Sequence, residues 1–460
     1  MSTLLNAAQV RVRAVSLYER PVTLRLPFRF GAATVTQCPQ AFVKVSLEVG
    51  GRTVEGASAE LMVPKWFDKN PLLTHEQNFE QLRGALRTAA QAYLAGDAAQ
   101  TPYALSQNQG EAAISTSVAH GLPRLAAQFG PAVLDKAIAD AALRASGLGW
   151  VDGVTAGLLG DPWTPQITLK KPASVWLRHT VGLADRIYAG DAGTSPADGL
   201  PETLEGAIAH YGLRYFKIKL CGQLEADIDR LGRIASLLAA SGGDYRATLD
   251  GNETFENAQV LGKFWRTLQN HTETQPQLKD LLARTLLLEQ PLARKVALSE
   301  SLVGLGFNVP VILDESDDNA DVFEKGLALG YRGISSKACK GIYRSFHSAW
   351  RVDQEPRRLL LSGEDLTCQA GLAVQQDTLL AASLGVAHIE RNGHHYVDGF
   401  GVAPDAESAA FANAHPDLYQ TSQGRPRLAV QHGQLQLGSL HTPGFASAAF
   451  PLWDSLKPIV

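Results

Sequence analysis

From about residue 170 onward, short β-rich runs alternate with longer stretches of helical spacing. The runs are SVWLRHTVGL, YFKIKL, YRATLDG, TLLLEQP, VPVILDES, GISSKA, RLLLSGED and VAHIER. Eight such runs separated by helices predict an α/β fold with a closed parallel barrel over residues 169–391, rather than an open sheet. Their near-continuous apolar character suits strands covered on both faces. Five consecutive runs, the second to the sixth, deliver charge at their C-terminal ends. In order these are Lys217 and Lys219, Asp250, Glu289, Asp314, and Lys337. A parallel barrel brings strand C-termini to one mouth, where barrel active sites lie.

Lysines on the second and sixth of eight strands stand opposite each other, with the carboxylates on the arc between. Lys217 and Lys219 are two apart and share one side of their strand. Three converging carboxylates repel unless a cation holds them, and hard oxygen ligands suit Mg²⁺. Removing a proton next to a substrate carboxylate creates a doubly charged enediolate. A divalent cation and a lysine stabilise that charge. A neutral lysine serves as base where burial and neighbouring positive charge lower its pKa. For Lys219, Lys217 and the cation supply such charge.

The ordered set KIK, LDGN, LLLEQP, LDES and SSKACKG resembles the enolase superfamily, in its mandelate racemase/muconate lactonizing enzyme family and the muconate lactonizing subgroup. A Lys or His base with Mg²⁺ is a known pattern of enolase-type sites. The resemblance implies a modified (β/α)7β TIM barrel. It also implies an N-terminal α+β capping domain over 1–168, completed by a C-terminal return over 392–460. It makes Asp250, Glu289 and Asp314 the metal ligands, Lys219 and Lys337 the acid/base pair, and Lys217 an electrostatic aid. Substrate-reading loops fall around Phe28–Gln40 and Ala57–Trp66. The family suggests a homo-oligomer. The sixth run continues into Lys340-Gly341-Ile342 where the family usually has a Gly pair, and the 39 positions from Asp250 to Glu289 form a wide interval. The seventh run, RLLLSGEDLT, has no histidine, which excludes the His-base branch.

Asn252, Glu364, Asp365, His388 and Glu390 stand at or near strand ends and are candidate substrate contacts. His394 and His395 read as loop residues near the mouth. Asp317 to Asp321 imitate a calcium loop but lack its Gly and distal Glu, and read as a solvated helix start. In the first part, residues 9–18 and 41–50 read as strands, with PFRFGAATVTQCPQ a loop between them. Helical spacing covers 75–96, with Thr74 as N-cap, and 131–147. The polar NHTETQPQLKD reads as a surface insertion, and 392–460 shows no strand–helix repeat.

Net charge is −4 and 19% of residues are charged, which gives no reason to propose nucleic acid or an anionic membrane as partner. Cys38, Cys221, Cys339 and Cys368 are scattered and read as buried thiols of a reducing compartment. No apolar run reaches the ~20 residues of a bilayer span, and a cytoplasmic location is expected. The expected activity is Mg²⁺-dependent abstraction of the proton alpha to a small-molecule carboxylate, ending in racemisation or epimerisation, cycloisomerisation or, alternatively, dehydration. A carboxylate-binding barrel without catalysis and a metal-dependent hydrolase or aldolase are the competing classes.

Overall fold

The computed structural model describes residues 7–31, 33–193 and 195–460. The chain opens with a long antiparallel meander of β1 (Val10–Phe30), β2 (Ala33–Val49) and β3 (Arg52–Leu61). Val43, Val45 and Leu47 of β2 are fully buried and alternate with more exposed neighbours, as one covered face requires. The two expected strands lie within β1 and β2. The segment between them is not a loop: it forms the far end of their hairpin, with Phe28 opposite Val35 and Val22 opposite Cys38. Its Gly and Pro content suggested a break, but the alternating Phe28, Phe30 and Val35 all turn inward and carry the ladder onward.

The helix His75–Leu94 begins at a Thr74–Gln77 capping box, in which each side chain bonds the other residue's backbone N–H. The next long helix runs Arg124–Ser146 and starts before Pro131, where sequence spacing had placed its beginning. A proline inside a helix forfeits one backbone bond, and here the residue is buried rather than terminal. This helix packs on β3, where Ser58 Oγ donates to the Val133 carbonyl at 2.7 Å.

All eight predicted barrel strands form. They are β4 (Ser174–Val181), β5 (Tyr215–Lys219), β6 (Arg246–Asp250), β7 (Thr285–Glu289), β8 (Val311–Leu313), β9 (Gly333–Ser336), β10 (Leu360–Gly363) and β11 (His388–Glu390). Each pairs in parallel with the next, and β11 pairs with β4 to close the ring. The fold is thus a modified TIM barrel carrying an antiparallel cap.

The NHTETQPQLKD segment is not a surface excursion. It ends one helix, Ala258–His271, and starts another, Pro276–Ala283, whose Leu278, Leu281 and Leu282 are buried. The C-terminal segment serves both bodies. Gln434–Gln436 pairs with barrel strand β4, whereas Lys457–Pro458 pairs with cap strand β1. Cap and barrel are also pinned by a buried ion triad. Lys136 Nζ lies 2.9 Å from Glu60 of β3 and 3.1 Å from Asp377 of the barrel helix Leu372–Ser383. Among the described residues no helix is long and apolar enough to cross a membrane. Cys38, Cys339 and Cys368 are buried free thiols, and Cys221 is half-buried rather than buried.

Candidate active site at the barrel mouth

Strand register sets the charged residues side by side. Lys219 pairs with Asp250, and Asp250 with Glu289, across the C-terminal ends of β5, β6 and β7. Asp314 and Lys337 each follow the last residue of their strands, β8 and β9. All six predicted residues, Lys217 included, are at most 5% exposed, so the pattern read along the strands is one buried cluster.

Lys217 occupies its centre. Its Nζ lies 2.9 Å from Asp250, 2.8 Å from Glu289, 2.9 Å from Glu364 and 2.8 Å from Glu390. Its hydrogen bond goes to Glu390, whose other oxygen accepts from Thr180 at 2.6 Å. Lys219 donates to Asp250 at 2.6 Å, and Lys337 to Asp314 at 2.7 Å. Burial opposes charge on Lys217 and Lys337, yet the surrounding carboxylates, Asp250 and Glu289 for the first and Asp314 for the second, raise both above the ordinary lysine range. Burial likewise works against charge on Asp314, but Lys337 and Lys340 hold it well below the usual carboxylate range. For Glu289 burial wins and the carboxyl is raised.

The cluster fits a divalent cation on one specific observation. Glu289 Oε1 is buried with neither a hydrogen-bond partner nor an ammonium beside it, whereas Glu289 Oε2 and Asp314 Oδ1 face Lys217 at 2.8 Å and Lys340 at 3.0 Å; a buried carboxylate oxygen left bare is costly unless something else satisfies it. Oxygens of Glu289, Asp314 and Glu364 all lie within 4.8 Å of one another. Asp250, the third ligand that the resemblance implies, borders this trio and is bonded by Lys219, Lys217 and the Asn252 backbone N–H. Glu364, a candidate substrate contact in the sequence reading, lies among these carboxylates and also reaches Lys337 at 2.8 Å.

The remaining candidates divide. Asn252 lies at the mouth, its side-chain amide donating to Glu315 at 3.0 Å and its Oδ1 buried without a hydrogen-bond partner. Asp365 faces Arg391 at 3.1 Å, and burial pushes its carboxyl up to about 6. His388 begins β11, below the rim. It bonds Arg178 at 2.9 Å and stacks on Tyr215, so it does not reach the site. His394 and His395 are not loop residues: they belong to a short buried helix, Gly393–Tyr396, and pack against His179. Asp317 is not solvated but buried, 3.4 Å from both Lys340 and Arg344.

Sequence reading missed three contributors. Lys340 returns through the turn Ala338–Lys340 to lie 3.0 Å from Asp314, and its spacing of three from Lys337 was the available signal. Arg178 is fully buried in the apolar run of β4, where a charged residue needs a partner. Gln290 accepts from the backbone N–H groups of Asp314 at 2.9 Å and Ser316 at 3.1 Å, fixing the start of the β8 loop. Its φ of 31° is left-handed, as are those of Asn252 and Thr367. Strained backbone held by side-chain bonds is typical of functional sites.

The cap closes the mouth. Phe28, Phe30, Val63 and Trp66 face Lys219, Lys337, Glu364 and Glu390 around a cavity of about 30 Å³. Lys337 Nζ lies 4.3 Å from the Trp66 ring centre, and Lys219 Nζ 5.9 Å from that of Phe28. Each lysine thus sits under an aromatic ring from the cap.

No protein-family model matches the chain, and no curated protein matches it by sequence. Solved structures match the fold throughout. A dipeptide epimerase from Enterococcus faecalis V583, complexed with Mg and L-Leu-L-Tyr, gives a TM-score of 0.61 at 16% identity, over 95% of this chain and 99% of its own. The 2-chloromuconate cycloisomerase from Rhodococcus opacus 1CP gives 0.61 at 15%, over 96% and 97%. The L-Ala-D/L-Glu epimerase of Bacillus subtilis gives 0.60 at 15%, over 95% and 99%. The capped barrel is therefore a fold that this chain shares with these two epimerases and this cycloisomerase.

Proposed function

We infer that this protein is an isomerase or lyase that abstracts the proton alpha to a substrate carboxylate and redirects the resulting enediolate. The observation that carries the reading is the convergence of Lys219 and Lys337, from strands on opposite sides of the ring, on one cavity floored by buried carboxylates. The similar structures include epimerases and a cycloisomerase, one of them complexed with Mg.

Glu289, Asp314 and Glu364 would hold Mg²⁺, with Asp250 beside them. Bound there, the cation would supply positive charge for the two carboxylate oxygens of the enediolate. The chain's own residues do the proton work. A lysine that enters neutral takes the alpha proton, and the C–H electron pair passes into the enediolate. The opposite lysine, as ammonium, returns a proton to the other face, which inverts the centre. Both lysines are oriented by carboxylates that accept from them, Asp250 for Lys219 and Asp314 for Lys337. Phe28 and Trp66 exclude water from the carbanionic carbon. The cap aromatics and the barrel lysines together line this cavity, so the cap forms one wall of the space a substrate would occupy.

Two opposed lysines favour racemisation or epimerisation over elimination, for which one base suffices. The test is proton NMR in D₂O with Mg²⁺, across hydroxy acids, sugar acids, N-acyl amino acids and dipeptides. Deuterium incorporation next to a carboxylate is the expected result. Bond cleavage without exchange would show hydrolase or aldolase chemistry instead. Carboxylate binding without exchange would mark a non-catalytic barrel.

A further inference from the structure

Trp66, whose ring covers Lys337, stands in residues 62–74, which form neither helix nor strand. No β-ladder fixes its backbone, and Lys65 before it has a left-handed φ of 63°. Such a conformation persists only where surrounding groups over-determine it. Here those groups come from the barrel. Arg294 opens the short helix Arg294–Ala297 beyond β7. Its Nη2 donates to the Trp66 carbonyl at 2.8 Å and its Nη1 to the Phe67 carbonyl at 3.0 Å. Nη2 and Nε also donate to the two oxygens of Glu253, at 2.7 and 2.9 Å, and the Arg294 backbone N–H reaches the same carboxylate at 2.9 Å. A guanidinium presents its donors in a rigid planar fork, and this fork spans a cap segment and a barrel loop at once.

Glu253 is the shared acceptor. Lys69 of the same cap segment lies 2.9 Å from it and donates to the Asn252 carbonyl at 2.7 Å. One cation thus runs from barrel to cap and one from cap to barrel, and both meet on a carboxylate only 5% exposed. Burial opposes charge on Glu253, but Arg294 and Lys69 hold its carboxyl below the usual range. Phe28, the ring over Lys219, is held differently. It lies in the β1–β2 ladder opposite Val35 and packs on Tyr396 with ring centres 4.6 Å apart. The two aromatic covers are therefore fixed by separate parts of the structure. On the basis of the proton abstraction inferred for this mouth, we propose that Arg294 and Glu253 are positioning residues that hold Trp66 over Lys337 and so govern proton transfer at that lysine, on one stereoisomer. They act through the Trp66 and Phe67 backbone, and Lys219 works without them.

The test uses Arg294→Met and Arg294→Lys in the full chain, with two readouts. The first is deuterium exchange into each pure isomer of whichever screened acid exchanges fastest. Arg294→Met should slow exchange from the isomer that depends on Lys337 by about tenfold or more, since a misplacement of about 1 Å can cost about a hundredfold. The isomer served by Lys219 should be slowed far less. Arg294→Lys keeps a charge beside Glu253 but loses the fork, so it should stay folded and fall between. The second readout is acrylamide quenching of tryptophan fluorescence, which needs no substrate. Subtracting the signal of the same protein carrying Trp66→Phe isolates Trp66 among the seven tryptophans. Trp66 should be quenched more strongly in Arg294→Met than in the natural chain. Equal slowing of both isomers in both variants, or unchanged quenching of Trp66, would each overturn the proposal. No exchange in the natural chain would overturn the proton abstraction itself, and the quenching would then decide the clamp alone.

Discussion

Lys217 Nζ lies 2.8 Å from Glu289 Oε2, in the middle of the carboxylates that the barrel mouth offers a cation. The ammonium thus does, within the chain, the electrostatic work that a bound ion would do. Removing it by Lys217→Met leaves Asp250, Glu289, Glu364 and Glu390 facing one another. Breaking a buried ion pair on one side typically costs about 3–5 kcal/mol. The variant should therefore melt well below the natural chain without divalent ions and regain most of the loss in Mg²⁺. It should also bind Mg²⁺ more tightly, because no ammonium competes for the same oxygens. Thermal melts and calorimetry check both, and an unchanged melting temperature would remove Lys217 from its central role.

Lys219 and Lys337 come from β5 and β9, four strands apart in a ring of eight. Each alanine variant should lose exchange of the alpha proton from one stereoisomer by at least about a hundredfold, in keeping with the loss of a positioned acid or base. Exchange from the mirror isomer should survive, at a reduced rate. The measurement is deuterium incorporation into each pure isomer. Equal loss from both isomers in both variants would favour a one-base reaction with the second lysine electrostatic.

Asp135 lies inside the cap helix, accepting from Tyr93 at 2.7 Å and Ser106 at 2.6 Å, and burial pushes its carboxyl up to about 7. Unfolded, it returns to an ordinary aspartate value near 4. Between those values the folded chain binds more protons than the unfolded chain, so stability falls as pH rises from about 4 to about 7. Asp135→Asn, which carries no charge at any pH, should flatten that part of the stability profile and raise the melting temperature at pH 8. Denaturant melts at closely spaced pH values give the slope, and an identical slope in both proteins would assign it to other groups.

Much of the site was legible because a barrel strand converts sequence position into spatial position with little freedom. KIK, LDG, LLLEQ, LDES and SSK each end where the mouth begins, and the ladder places Lys219, Asp250 and Glu289 in one row. The role of Glu364 was not legible. Whether its carboxylate turns toward Glu289 and Asp314 or toward a substrate depends on side-chain direction, and here Ser335, Lys217 and Lys337 all bond it inward. The β1–β2 hairpin was misjudged because Gly and Pro report local conformation, whereas its alternating aromatics report burial under a cap that only the folded chain supplies.

The sequence by itself determined the barrel, its strand order and the six charged residues at its mouth, because hydrophobic period and chain order are local quantities. The tertiary structure alone decided which carboxylates come within reach of one cation, that Lys217 sits among them, and that Phe28 and Trp66 cover the two opposed lysines. It also decided that Lys136, far from the barrel strands in sequence, ties the cap to the barrel through Glu60 and Asp377. These depend on side chains from distant segments meeting in a low-dielectric interior, where each charge is placed by its partners and not by its neighbours in the chain.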